Sequence, residues 1–180
     1  MKLEQSFDVE APIERVWETL IDVERVAPCL PGAEVTESSG DLYEGTFTVK
    51  LGPTTASYAG KLEMAEVDHP AHRVTMRASG RDKRGQGSAK AAIESSMSES
   101  AGVTTVNVVT DFSLTGRLAR FGRGGMIEDV SNRLMRDFAT CLAGSIERPD
   151  EAPAQAEPIR GVRLFFSVLW ERIRRLFSRR

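Results

Sequence analysis

The sequence has little of the chemistry from which catalytic and metal sites are built. Its 180 residues hold two cysteines, two histidines, two tyrosines and two tryptophans. Cys29 and Cys141 lie far apart in apolar contexts, outside any CxxC pair, and read as two reduced, half-buried thiols of a cytosolic protein. His69 and His72 follow Asp68 in a His-x-x-His with no third strong ligand at a zinc-like spacing, so a solvated turn is expected there and no metal site. No glycine loop runs on into Gly-Lys-Ser/Thr, which excludes a phosphate loop. Ser96, Ser98 and Ser100 have no base beside them. No catalytic residue is assigned, and the chain is not read as an enzyme. No run reaches the ~18 apolar residues of a membrane-crossing helix. The N-terminal stretch MKLEQSFDVEAP has no apolar core of a secretion signal, so a cytoplasmic protein is expected.

What is present is unevenly spread. The net charge is -2, yet residues 160–180 carry seven arginines and one acid, a local charge of +6. Residues 1–159 hold 17 basic and 25 acidic residues, a charge of -8. Such segregation gives the last 21 residues a separate task.

The apolar pattern divides the rest. Residues 2–10 alternate and predict a strand; Pro12 opens a short helix to about residue 22, and a second helical piece spans 23–27. From about residue 33 the period becomes 2. Phe47 and Val49 fall on one face of their strand, Tyr58, Leu62 and Met64 on that of the next, then Val74 and Met76. Ala91 and Ile93 continue that face, followed by Val106, Val108 and Phe112. One apolar face and one polar face joined by short turns describe an antiparallel sheet of about seven strands, wet on one side. After a glycine- and arginine-rich loop, Ile127, Val130, Leu134 and Phe138 recur at helical spacing. This helix is the only one long enough to cover the sheet, which gives an α+β, helix-grip arrangement.

Gly45, Gly60, Ala78, Gly80 and Ala89 also point inward by parity. Such small residues leave volume for an apolar ligand, or mark kinks where the sheet curls. On the first alternative the cavity wall consists of the sixteen larger residues just named from Phe47 to Phe138. Tyr58 is the inward residue best able to offer it a hydrogen bond.

Residues 148–159 are rich in proline and acids and read as a linker between a body at 1–147 and the tail at 160–180. At 100° per residue, Phe165, Phe166, Leu169, Trp170, Ile173, Leu176 and Phe177 share one face of the tail. Arg163, Arg174 and Arg175 lie opposite. This is the pattern of an amphipathic helix lying in a membrane surface, its arginines on anionic headgroups. A partner's groove and packing back on the body are the rival readings, and the aliphatic stripe argues against nucleic acid.

Several strings match one family in order: Leu30-Pro-Gly-Ala33, the run from Val49 to Tyr58 with Gly60, and Asp111 to Gly116 followed by Arg120-Phe-Gly-Arg123. Over residues 1–147 the chain resembles the carbon monoxide dehydrogenase CoxG family of the START-like, or SRPBCC, superfamily. The resemblance implies a helix-grip fold with an internal apolar cavity. It also implies an accessory role beside a molybdenum-containing carbon monoxide dehydrogenase, helping tie that enzyme to the membrane and the respiratory chain. For such a partner the expected cargo is a respiratory quinone such as menaquinone, with the protein peripheral on the cytoplasmic face of the cell membrane. A purely structural adaptor, or a lipid- or polyketide-processing enzyme of the same superfamily, are the alternatives. The family offers no catalytic motif to carry over.

Overall fold

Alternation with β-branched and aromatic residues gives strands, and the turns between them are short enough to force antiparallel neighbours. The computed structural model describes residues 1–51, 54–116, 119 and 125–148. The expected linker from 149 onward and the tail helix lie outside the described residues. The element order is β1 (Lys2–Val9), α1 (Ile13–Ile21), α2 (Val23–Val26), a 3-10 turn (Ala27–Cys29), β2 (Ala33–Ser39), β3 (Leu42–Leu51), β4 (Thr54–Asp68), β5 (Arg73–Asp82), β6 (Ser88–Ser100), β7 (Val103–Leu114) and α3 (Met126–Glu147). All strands belong to one antiparallel sheet in the order β1-β7-β6-β5-β4-β3-β2.

The sheet bends along a line of glycines. Gly45, Gly60 and Gly80 are register partners on β3, β4 and β5. A Cβ at Gly60 would sit 2.1 Å from the Ser79 carbonyl oxygen, and one at Gly45 2.2 Å from that of Glu34. The backbones approach there as no side chain allows, so at these two positions the kink explains the glycine. Bulges between Val35 and Glu37 and between Met64 and Glu66 add to the bend, the second also keeping Val67 on the apolar face after Met64.

One end of the fold is solid. Val16 and Trp17 of α1, Val23 and Val26 of α2, Val74, Met97 and Val106 of the sheet, and Leu142 and Ile146 of α3 form one buried cluster. The elements here cap one another. The Glu99 carboxylate accepts from Ile13 N–H at 2.8 Å, and Asp22 Oδ1 accepts from Arg25 N–H at 3.1 Å. The last turn of α3 has no basic residue. Arg15 and Arg25, from α1 and α2, instead donate to its terminal carbonyls at Ile146 and Ser145. Cations at a helix C-terminus meet the negative end of its dipole.

Two expectations are corrected at this end. Cys29 and Cys141 are not free thiols: the 3-10 turn packs on α3, their Cα atoms are 5.3 Å apart, and they form a disulfide across 112 residues of chain. That separation lies within the range a disulfide spans. The histidine turn is not simply solvated either. Trp17 Nε1 donates to His69 Nδ1 at 3.1 Å, His72 Nε2 lies 3.2 Å from the Glu14 carboxylate, and both imidazoles stand edge-on to the indole.

Candidate functional site

The apolar sheet face looks toward α3, and the helix is seated unevenly on it. By backbone approach α3 lies nearest β1, α1, the 3-10 turn and, more lightly, β3, and its Val130 packs against Ala56 and Tyr58 of β4. On the β1 side the seam is closed by Phe7 against Phe138, ring centroids 6.2 Å apart, and by Gln5 Nε2 donating to Asn132 Oδ1 at 2.9 Å. Along α3 only Leu142, Ser145 and Ile146 are buried, all in the last turn and a half. Ile127, Val130 and Leu134, toward the other end, are only partly covered.

The sixteen residues expected to line a cavity therefore fall into three groups. Met64, Val74 and Val106 belong to the solid cluster, with Leu62, Met76, Val108 and Phe138 packed against it. Tyr58 is buried with Ala56 in a second, small cluster, against which Val49, Val130, Ala89 and Leu114 pack. Phe47, Ala91, Ile93, Phe112, Ile127 and Leu134 belong to neither cluster and remain partly exposed. Six of the sixteen, from both sheet and helix, thus lie outside the two buried clusters.

Polar groups on this face are few. Tyr58 is in register with Asp82. Burial first, and the Asp82 charge second, push the Tyr58 phenol above its ordinary range, so it stands as a neutral hydroxyl. The Asp82 carboxylate is occupied, accepting from Arg84 N–H and Gln86 N–H at 3.1 Å each in the β5–β6 turn. Ser95, 2% exposed between Val74 and Val108, has a hydroxyl with no hydrogen-bond partner among the described residues. Strand parity alone places Ser95 inward, but nothing in the sequence marks its hydroxyl as unpartnered. Among the described residues no group of three His, Cys, Asp or Glu side chains could hold a metal ion.

Comparison with known proteins decides the lineage. The model of the carbon monoxide dehydrogenase CoxG family matches residues 6–147. The chain belongs to the CoxG family. Among curated proteins none matches. A conserved protein from Geobacillus kaustophilus superposes with a TM-score of 0.68 at 16% identity, covering 81% of this chain and 97% of that one. The ZhuI aromatase/cyclase from Streptomyces sp. R1128 gives a TM-score of 0.59 at 18% identity over 84% of this chain and 96% of the other. A START superfamily protein from Mycobacterium smegmatis gives 0.54 at 13% identity, covering 82% and 98%. At such identities the likeness concerns the fold. This CoxG chain therefore has the START-like architecture, a curved seven-stranded antiparallel sheet gripping a C-terminal helix.

Proposed function

We propose that this chain is a non-catalytic accessory protein of a molybdenum-containing carbon monoxide dehydrogenase. It binds an apolar ligand, a respiratory quinone such as menaquinone, between the sheet and α3. Its arginine-rich tail holds it to anionic lipids on the cytoplasmic face of the membrane. The observation that supports this reading most is that Phe47, Ala91, Ile93, Phe112, Ile127 and Leu134 lie outside both buried clusters and stay partly exposed among the described residues. An apolar wall with one neutral hydroxyl near one end suits a ring with carbonyl groups and a hydrocarbon chain. The test is solvent extraction and mass spectrometry of purified full-length protein, followed by titration with menaquinone. The expected result is a copurifying or added quinone bound at about one per chain. An empty protein that takes up no quinone would overturn the ligand assignment.

The adaptor reading, a solid body without cargo, draws support from Gly45 and Gly60, whose backbone approaches account for two of the missing side chains. Gly60→Leu is a poor discriminator for that reason, since it would strike backbone before it filled space. Ala91→Phe and Ala78→Phe change register partners on this less buried part of the sheet face. Ligand capacity is expected to fall in both while the melting temperature changes little, whereas a cargo-free adaptor would keep its activation of the dehydrogenase in either variant. The enzyme reading has less behind it, because the one carboxylate in register with Tyr58 is already held by turn amides.

A further inference from the structure

The disulfide sits awkwardly with the cytoplasmic site of action proposed above. Disulfides are rare in the cytoplasm, and those that occur there are mostly transient or redox-sensing. The two halves of this bridge are also unequal. Cys29, in the 3-10 turn, is fully buried, whereas Cys141, on α3, is partly exposed. A thiolate arriving from solvent therefore meets the Cys141 sulfur first, and the Cys29 sulfur is the one that must leave. Its surroundings suit that departure. The hydroxyl of Ser145, a residue 4% exposed, stands 3.8 Å from Cys29 Sγ, and since a disulfide sulfur carries no proton the serine is the donor. Arg25 Nη2 donates to the carbonyl oxygen of the same serine at 2.9 Å, which brings a guanidinium charge to this corner. A hydroxyl donor and a nearby cation both favour a thiolate over a thiol.

We propose that Cys141 is a site of thiol–disulfide exchange and that the bridge is a redox latch on α3. A small cellular thiol, as its thiolate, attacks Cys141 Sγ; the bond to Cys29 breaks, and Cys29 leaves as a thiolate beside Ser145. A second molecule of the thiol attacks the sulfur of the first in the mixed disulfide and releases Cys141. Two small thiols end as one small disulfide, and their two electrons and two protons end on Cys29 and Cys141. Cys141 shares its helix face with Phe138 and Leu134, three and seven residues earlier. The bridge thus fixes the rotation of α3 against the 3-10 turn. Once it opens, the helix is held by Leu142, Ile146, the Phe7–Phe138 contact and the two arginine caps, all of them reversible. Opening the latch loosens α3 at the proposed ligand site; that consequence rests on the reading above, and the exchange itself does not.

The test uses oxidised full-length protein incubated with glutathione at neutral pH without denaturant. Alkylation of free thiols and peptide mass spectrometry identify which cysteine carries glutathione. The expected result is glutathione on Cys141 and a free thiol at Cys29, formed while the chain stays folded. Ser145→Ala should slow reduction of the folded chain about threefold or more and leave the rate in denaturing urea unchanged, which separates an effect on the leaving sulfur from one on the thiol itself. Hydrogen exchange along α3 should become ~10-fold faster or more in the reduced chain and in Cys29→Ser/Cys141→Ser, while β4 to β6 keep their protection. Glutathione on Cys29, or a bridge that yields only at the rate of global unfolding, would overturn the proposal. So would an α3 that exchanges equally in oxidised and reduced chains. Equal reduction rates for Ser145→Ala and the native chain would overturn the role given to the serine. A chain that takes up menaquinone but keeps its bridge until it unfolds refutes the latch and leaves the ligand reading standing. A chain whose bridge exchanges as described but which takes up no menaquinone does the reverse.

Discussion

Ser95 and Tyr58 show how much a single hydroxyl on an apolar face can disclose. The Ser95 hydroxyl is buried without a partner, and a buried unsatisfied hydroxyl costs about 1–3 kcal/mol. Ser95→Ala is therefore expected to stabilise the ligand-free protein by up to about 1 kcal/mol, once the small loss of packing is counted, as urea denaturation would show. Tyr58 contributes with a definite sign. Its phenol is pushed up in the folded protein, by burial and then by Asp82, so its share of stability is complete below the ordinary tyrosine pKa of about 10. That share is lost as pH rises further, because the unfolded chain releases the proton first. Tyr58→Phe should flatten the alkaline decline without abolishing it, since burial also raises Tyr43. Stability measured against pH from neutral into the alkaline range checks this. Parity placed Tyr58 on the inner face, yet the pairing of neither hydroxyl could be read from sequence. The same holds for Cys29 and Cys141, whose apolar settings suit a thiol as well as a disulfide until the 3-10 turn is seen against α3.

Among elements, the strands were the most legible, because period-2 alternation and short turns leave few ways to pair them. Helices α1 and α3 were legible for the same kind of reason, from Pro12 at the start of one and the spacing of Ile127, Val130, Leu134 and Phe138 in the other. How α3 is seated was not legible. Its last turn relies on Arg15 and Arg25, more than a hundred residues earlier, and no local signal announces that service. Arg25→Ala is expected to cost about 1–2 kcal/mol, the usual worth of a charged hydrogen bond at a helix end, measurable by urea titration. The glycine line makes a sharper prediction. Gly60→Ala places a methyl 2.1 Å from a carbonyl oxygen, so the sheet must unbend or lose pairing, and a fall in melting temperature far beyond that of Ala91→Gly is expected.

At the scale of the molecule, the acidic body and the basic tail are expected to behave as separable parts. Full-length protein should pellet with phosphatidylglycerol-containing vesicles and a 1–158 truncation should not; equal pelleting would remove the membrane role of the tail. No helix among the described residues is long and apolar enough to cross a membrane. The body itself is closed covalently by Cys29 and Cys141. By the usual behaviour of disulfides spanning long loops, reduction is expected to lower its stability by about 2–5 kcal/mol, seen as an earlier urea midpoint with reductant present. The bridge also encircles most of the sheet, including the exposed turn at Lys83 and Arg84. A protease that cuts this turn leaves two fragments that stay joined. Under non-reducing electrophoresis the nicked protein runs as one species, and the cut becomes visible only when the bridge is opened. Proteolytic damage inside this loop therefore leaves the two pieces covalently joined for as long as the bridge stays oxidised.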